Sequence, residues 1–138
     1  MYVNETKVRV RYAETDKMGI VYHANYYIWF EVGRSEFIRK IGMSYTDFEE
    51  QGILIPLVEC SCRYFESAKY DDEIIIETWI EKLTNVKMIY SYNVIRVSDN
   101  KILAKGSTTH AIVNNDFKII NLKKVNGVLL EKLQSLCI

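Results

Sequence analysis

The chain changes its hydrophobic rhythm several times, and each change marks an element. From Lys7 to Ala13 apolar and charged residues alternate, the two-residue period of a strand with one wet face. From about Tyr22 to Ile41 the period lengthens. Tyr26, Trp29, Phe30, Gly33, Phe37 and Ile41 recur at intervals of three and four and share one broad helical face, with Glu31, Ser35 and Arg39 opposite. Gly42 is placed as the C-terminal stop of that helix. Ser44 and Thr46 offer N-caps to a short second helix that ends near Glu50 and Gly52.

The second half is β-rich. Four long runs, ILIPLVECSCRYF, EIIIETWIEKL, KMIYSYNVIRV and KILAKGSTTHAIV, are separated by turn-like segments at Ser67–Asp72, Thr84–Asn85 and Ser98–Asn100. Connections this short imply antiparallel neighbours, because a parallel return needs a crossover of about a dozen residues. One long helix with a wide apolar face and several long strands pack economically as an α+β layer, the sheet wrapped around the helix. Ile75, Trp79, Tyr90 and Tyr92 are candidates for an outer face covered by a partner, which predicts oligomerisation. The tail GVLLEKLQSLCI is amphipathic and predicts a terminal helix.

Length and composition narrow the class. At 138 residues the chain reads as one domain, residues 1–138, long enough to bury about two-thirds of its unfolded surface. Eighteen basic residues balance eighteen acidic ones, so net charge makes no case for nucleic acid or an anionic membrane. No run approaches the apolar length of a spanning helix, and the N-terminus lacks a signal-peptide pattern, so the expected compartment is the cytoplasm. Cys60, Cys62 and Cys137 form no disulfide framework; Cys60 and Cys62 read as buried or half-buried thiols on one strand face.

The densest polar chemistry lies at the strand-to-helix junction, ETDKMGIVYHANY, residues 14–26. Asp16 reads either as the brace of a turn or as a nucleophile or base for water. Gly19 supplies a backbone conformation closed to most residues. If the long helix begins at Tyr22 or His23, its first N–H groups lack helical partners, form an anion site, and lie about one turn from Asp16. His23 reads as a polar helix-start residue or as a group that binds substrate or tunes the carboxylate. Asn25 reads as a ligand donor or as a local brace. Glu31 and Arg34, three apart, read as a helical ion pair. With His110 the only other histidine, no metal-ligand spacing is present and no metal is expected. Arg63 and Lys69 read as solvated charges that could also meet phosphates.

The segment ETDKMGIVYHANYYIWFEVGRSEFIR resembles the signature of the 4-hydroxybenzoyl-CoA thioesterase-like family, especially its branch associated with bacterial Tol-Pal clusters. Weaker likeness continues through AKYDDEIIIETWI and GSTTHAIVN. The resemblance implies a hotdog fold, the long helix wrapped by a curved antiparallel sheet, in homo-oligomers (dimers or homotetramers) with active sites between subunits. It further implies hydrolysis of acyl-CoA thioesters without a cofactor. Asp16 falls on the family's catalytic carboxylate and the His23 N–H on its oxyanion donor, with Gly19, Tyr22 and Asn25 at substrate-binding motif positions. Glu14 stands where many relatives carry Asp, and Lys17 and Met18 replace smaller or acidic residues. The rival readings are an acyl-CoA hydratase or dehydratase of the same fold, and a non-catalytic acyl-CoA or acyl-carrier binding module.

Overall fold

The structure is a computed structural model that describes residues 1–137. Its strands are β1 (Asn4–Arg9), β2 (Leu57–Tyr64), β3 (Glu73–Leu83), β4 (Lys87–Arg96) and β5 (Lys101–Ala111), and its helices are α1 (Asn25–Lys40), α2 (Tyr45–Glu50) and α3 (Leu122–Gln134). All pairings are antiparallel, and the five-stranded sheet has the order β1-β3-β4-β5-β2. Register shifts at Leu57/Glu59, Ile80/Lys82 and Val94/Ile95 break the ladders and let the long strands bend.

α1 lies against this sheet, burying Tyr26, Trp29, Phe30, Gly33, Phe37 and Ile38. The three- and four-residue spacing thus translates directly into one packed face, although Ile38 replaces the expected Ile41, which is only half-buried. Each fully buried large apolar side chain contributes roughly 1.5–3 kcal/mol. Close approach depends on two glycines: a Cβ on Gly33 would lie 2.4 Å from Thr78 Oγ1, and one on Gly106 would lie 2.3 Å from the Phe30 ring. Phe30 instead stacks on Tyr92, centroids 4.3 Å apart. The helix stops at Gly42, φ +78°, where the Met43 N–H returns to the Ile38 carbonyl. Ser44, rather than Thr46, caps α2 in a reciprocal pair with Asp47.

Several expectations need correction. The first strand ends at Arg9, and Tyr12–Glu14 form a 3-10 turn rather than its continuation. The run from Ile53 forms a strand only after Pro56, which has no N–H for a ladder; Leu54 makes a single bridge to Val113. β2 and β3 follow each other in sequence yet are not neighbours, because the chain from Phe65 to Asp72 crosses α1 and β2 joins β5 at the far edge. Tyr90 and Tyr92 are buried beneath α1 and face no partner, whereas Ile75 and Trp79 on the other sheet face are half-exposed. Cys60 is exposed, not buried. α3 starts earlier than expected, capped by Asn121 and kinked at Asn126; Ile138, the end of the expected tail helix, lies outside the described residues. No helix among the described residues is long and apolar enough to cross a membrane.

Candidate active site

The junction begins as a small two-stranded ladder. The Tyr22 N–H donates to the Glu14 carbonyl, Thr15 bridges Val21, and the Asp16 N–H donates to the Ile20 carbonyl. Gly19 closes the turn at φ +79°, its N–H on the Asp16 carbonyl, which is why a glycine is required there. The Asp16 carboxylate takes part through one oxygen only: Oδ1 accepts from the Met18 N–H at 2.9 Å. Oδ2 has no partner among the described residues, so a turn brace and an unpartnered oxygen coexist on one side chain.

The ladder docks on the body at two points. The Val21 N–H donates to the Ala68 carbonyl at 2.9 Å, and the Ala68 N–H donates to the Tyr26 hydroxyl at 3.2 Å, so the β2–β3 crossover clasps the start of α1. On the other side Glu14, only 5% exposed, holds ladder and helix together. Its carboxylate accepts from the Arg11 N–H at 2.8 Å and from the Trp29 indole N–H at 2.8 Å.

α1 starts at Asn25, two or three residues later than Tyr22 or His23, because the Glu14 ladder holds Tyr22 extended. Its N-cap, Ala24, has helical φ −64° and ψ −24° and offers no side-chain cap. Among the described residues neither the His23 N–H nor the Ala24 N–H has an acceptor. The expected unpaired donors are therefore present, but they sit at the base of the ladder instead of one helical turn from Asp16. Two residue steps, roughly 7 Å, separate Asp16 from the Glu14–Tyr22 pair.

The remaining expected residues are placed as follows. The His23 imidazole is exposed and lies against the Tyr22 ring, centroids 4.4 Å apart, and makes no bond to Asp16. Tyr22 is 48% exposed beside it. The Asn25 amide donates to the Glu14 carbonyl at 2.8 Å, a local brace that leaves its oxygen open. Lys69 lines an open cleft of about 530 Å³ with Ile20, Ser67 and Arg96; that arginine is already held by Glu66 at 2.8 Å and Asp99 at 2.6 Å. Arg63 lies over the Phe65 ring, 5.5 Å from its centroid. No cluster of three or more His, Cys, Asp or Glu placed to hold a metal occurs among the described residues.

Glu31 and Arg34 do not pair; the ion pair on α1 joins Glu36 and Arg39 at 3.5 Å. Arg34 instead acts on a buried polar group beneath the helix. There the Tyr45 and Tyr90 hydroxyls are 3.1 Å apart, Tyr92 and Thr108 share a hydrogen bond at 2.6 Å, and His110 Nε2 meets Thr108 Oγ1 at 2.9 Å. Burial, and then the nearby Arg34 cation, hold the His110 pKa down at about 4, so this ring is neutral near pH 7. Sequence reasoning missed Glu14 as a keystone, and altogether missed Ala24, Ala68 and Tyr64, whose hydroxyl donates to the His23 carbonyl at 3.0 Å. Glu14 carried a weak local signal in its place beside Asp16; Tyr64 and Ala68 carried none.

Comparison with known proteins bears on the fold and the family. YneP of Bacillus subtilis (strain 168), whose name assigns it provisionally to the acyl-CoA thioesterases, is 38% identical over 125 residues, 90% of each chain. The acyl-CoA thioesterase YbgC of Haemophilus influenzae is 31% identical over 108 residues, 78% of each. A DHNA-CoA thioesterase from Staphylococcus aureus superposes with a TM-score of 0.92 at 35% identity, covering 98% of this chain and 91% of that one. The curved antiparallel sheet around one helix is thus the hotdog arrangement that the motif implied. With the model of the Thioesterase-like superfamily matching residues 10–133, the chain belongs to that family.

Proposed function

We propose that this chain hydrolyses acyl-CoA thioesters, R–CO–S–CoA + H2O giving R–COOH + HS–CoA, with Asp16 and the α1 N-terminus as the reacting machinery. The observation that carries the reading is the pairing of a carboxylate oxygen without a partner, Asp16 Oδ2, with a helix start whose N–H groups have no acceptor. A thioester carbonyl bridging them needs its carbon about 3 Å from the carboxylate and its oxygen about 3 Å from the donor. A two-step separation along the ladder accommodates that span. Asp16 Oδ2 attacks the carbonyl carbon directly, or takes a proton from the water that does. In either route the carbonyl oxygen becomes an oxyanion held by the His23 N–H, and the C–S bond breaks as that oxyanion collapses. After direct attack, water then hydrolyses the acyl–Asp16 anhydride to the free acid, and in both routes the proton lost by water ends on the departing CoA thiolate. Each such donor contributes roughly 2.7–4 kcal/mol. Gly19 sets the turn that aims Asp16; Tyr22, the His23 ring and Asn25 Oδ1 border the acyl or thioester group.

The reading includes assembly into homo-oligomers. β2 is a sheet edge with a free row of backbone groups, and Leu57, Val58 and Phe65 are exposed on or beside it. A second copy pairing there covers that apolar surface, and sites formed between subunits follow from such a dimer or from a tetramer built on it. The acyl group is any that this pocket admits. The place in the Tol-Pal-associated branch rests on the motif alone.

The test is release of free thiol from a panel of acyl-CoA substrates, with Asp16→Asn beside the wild type. Asparagine keeps Oδ1 for the Met18 N–H, so the loop is retained while turnover falls by about 10²–10⁴-fold. Unchanged turnover in Asp16→Asn sinks the assignment. Hydration of an enoyl-CoA with the thioester left intact points to the hydratase reading, and tight binding without any thiol release points to a binding module.

A further inference from the structure

We propose that Tyr64 is a positioning residue for this thioester hydrolysis, its hydroxyl fastening the peptide between His23 and Ala24 so that the Ala24 N–H becomes a second oxyanion donor. The inference rests on the function proposed above and adds Tyr64, which lies outside the motif, and the N–H of Ala24 within it.

Tyr64 is the last residue of β2, far from the motif in sequence, yet its hydroxyl donates to the His23 carbonyl at 3.0 Å. The same carbonyl accepts the Tyr26 N–H at 3.3 Å, and the carbonyl before it, of Tyr22, accepts the Asn25 N–H at 2.9 Å. The two peptides that present unpaired N–H groups, at His23 and Ala24, are therefore both anchored through their carbonyls. An amide whose carbonyl accepts a hydrogen bond is polarised, and its N–H donates more strongly. Of the two anchors, the Tyr22 carbonyl is served by the helix's own backbone. The His23 carbonyl takes, beside its longer helical bond from Tyr26, a second and shorter one from a side chain of the sheet.

Tyr64 is itself held for this task. Its ring meets Tyr26 edge-on, centroids 5.0 Å apart at 84°, and His23 at 6.5 Å and 80°. Burial of the hydroxyl, together with the Cys62 thiol and the Tyr27 hydroxyl nearby, pushes its pKa up, so it remains a donor across the physiological range. Tyr26, the residue it packs on, also receives the Ala68 N–H, so the β2–β3 crossover and the end of β2 together grip the first turn of α1.

The experiment uses the full chain and the acyl-CoA that the wild type turns over fastest. Tyr64→Phe keeps the ring and loses only the hydroxyl; kcat is expected to fall about tenfold with KM within about twofold, the loss of one hydrogen bond felt in the transition state. Ala24→Pro deletes the second donor at a φ of −64°, proline's own value, and at an N–H without an acceptor among the described residues. Because its ring crowds His23 in the Tyr22–Asn25 turn, an unchanged melting midpoint is the control for an intact fold. Its kcat is expected to fall about 10²–10³-fold, as for other single oxyanion donors, while Ala24→Gly, which keeps the N–H, retains most turnover. The proposal is overturned if Tyr64→Phe keeps wild-type kcat, if its kcat and KM change together as the fold loosens, or if folded Ala24→Pro turns over within threefold of wild type. A wild type that releases no thiol from any acyl-CoA overturns the thioesterase reading instead, which keeps the two failures distinct.

Discussion

The Glu14 carboxylate accepts the Trp29 indole N–H at 2.8 Å inside the protein, joining the loop that precedes α1 to the second turn of that helix. The other carboxylate oxygen accepts the Arg11 N–H, and the Glu14 carbonyl accepts from Tyr22 and Asn25. Glu14→Ala strands two donors and is expected to destabilise the protein by roughly 2–4 kcal/mol, read as a shift in urea midpoint at constant slope. Glu14→Gln keeps an acceptor for one of them and loses about half as much. A Glu14→Ala protein as stable as wild type would refute this role.

Thr78 is fully buried on β3 opposite Gly33, and its Oγ1 has no hydrogen-bond partner among the described residues. Desolvating a hydroxyl for no bond costs free energy, so Thr78→Val is expected to stabilise by about 1 kcal/mol. Thermal melting checks the sign: a lower midpoint means that the methyl crowds Gly33 more than the hydroxyl costs.

His110 makes stability depend on pH. Its folded pKa, about 4, lies below the ordinary histidine value of 6.5. Between these values the unfolded chain binds a proton that the folded protein refuses, so stability is full above about pH 6.5 and falls as pH drops toward 4. The loss reaches at most about 3 kcal/mol. The groups facing the ring are Arg34 from α1, Tyr90 from β4, Thr108 on its own strand and the Ile55 carbonyl, and none is a carboxylate. Urea melts at pH 7.5 and 4.5 are expected to differ less in His110→Asn than in the wild type; equal pH slopes would assign the dependence to other groups.

The exposed β2 edge predicts the response to a single charge. Val58 is 61% exposed on that strand, so Val58→Asp is expected to leave the fold intact and to lower the molar mass measured by light scattering toward that of the monomer. An unchanged assembly would move the interface to another face.

Much of the fold was legible because it is locally encoded. The period of Tyr26, Trp29, Phe30, Gly33 and Phe37 specifies a helix and its buried face, and Gly42 and Ser44 mark a stop and a start through backbone chemistry of their own. The motif likewise marked the turn that Gly19 closes and the His23 N–H, which has no acceptor among the described residues. Other readings failed where two local preferences competed: Glu31 and Arg34 have the spacing of an ion pair, but Arg34 faces the buried Tyr92 and His110 and Glu31 faces water. Tyr90 and Tyr92 alternate as outer residues do, yet every second residue of β4 has two faces to choose from, and the helix chose theirs.

The sequence by itself determined the elements, the helix stripe and the caps, because each depends on residues within a turn or two of one another. The tertiary structure alone decided that β2 lies beside β5, that Glu14 holds Trp29, and that Tyr64 and Ala68 reach the start of α1. The three hydrogen bonds among them join residues 15 to 42 positions apart. No local pattern encodes them, since they exist only once the crossover after β2 has wrapped the sheet around the helix and left these groups no closer partner.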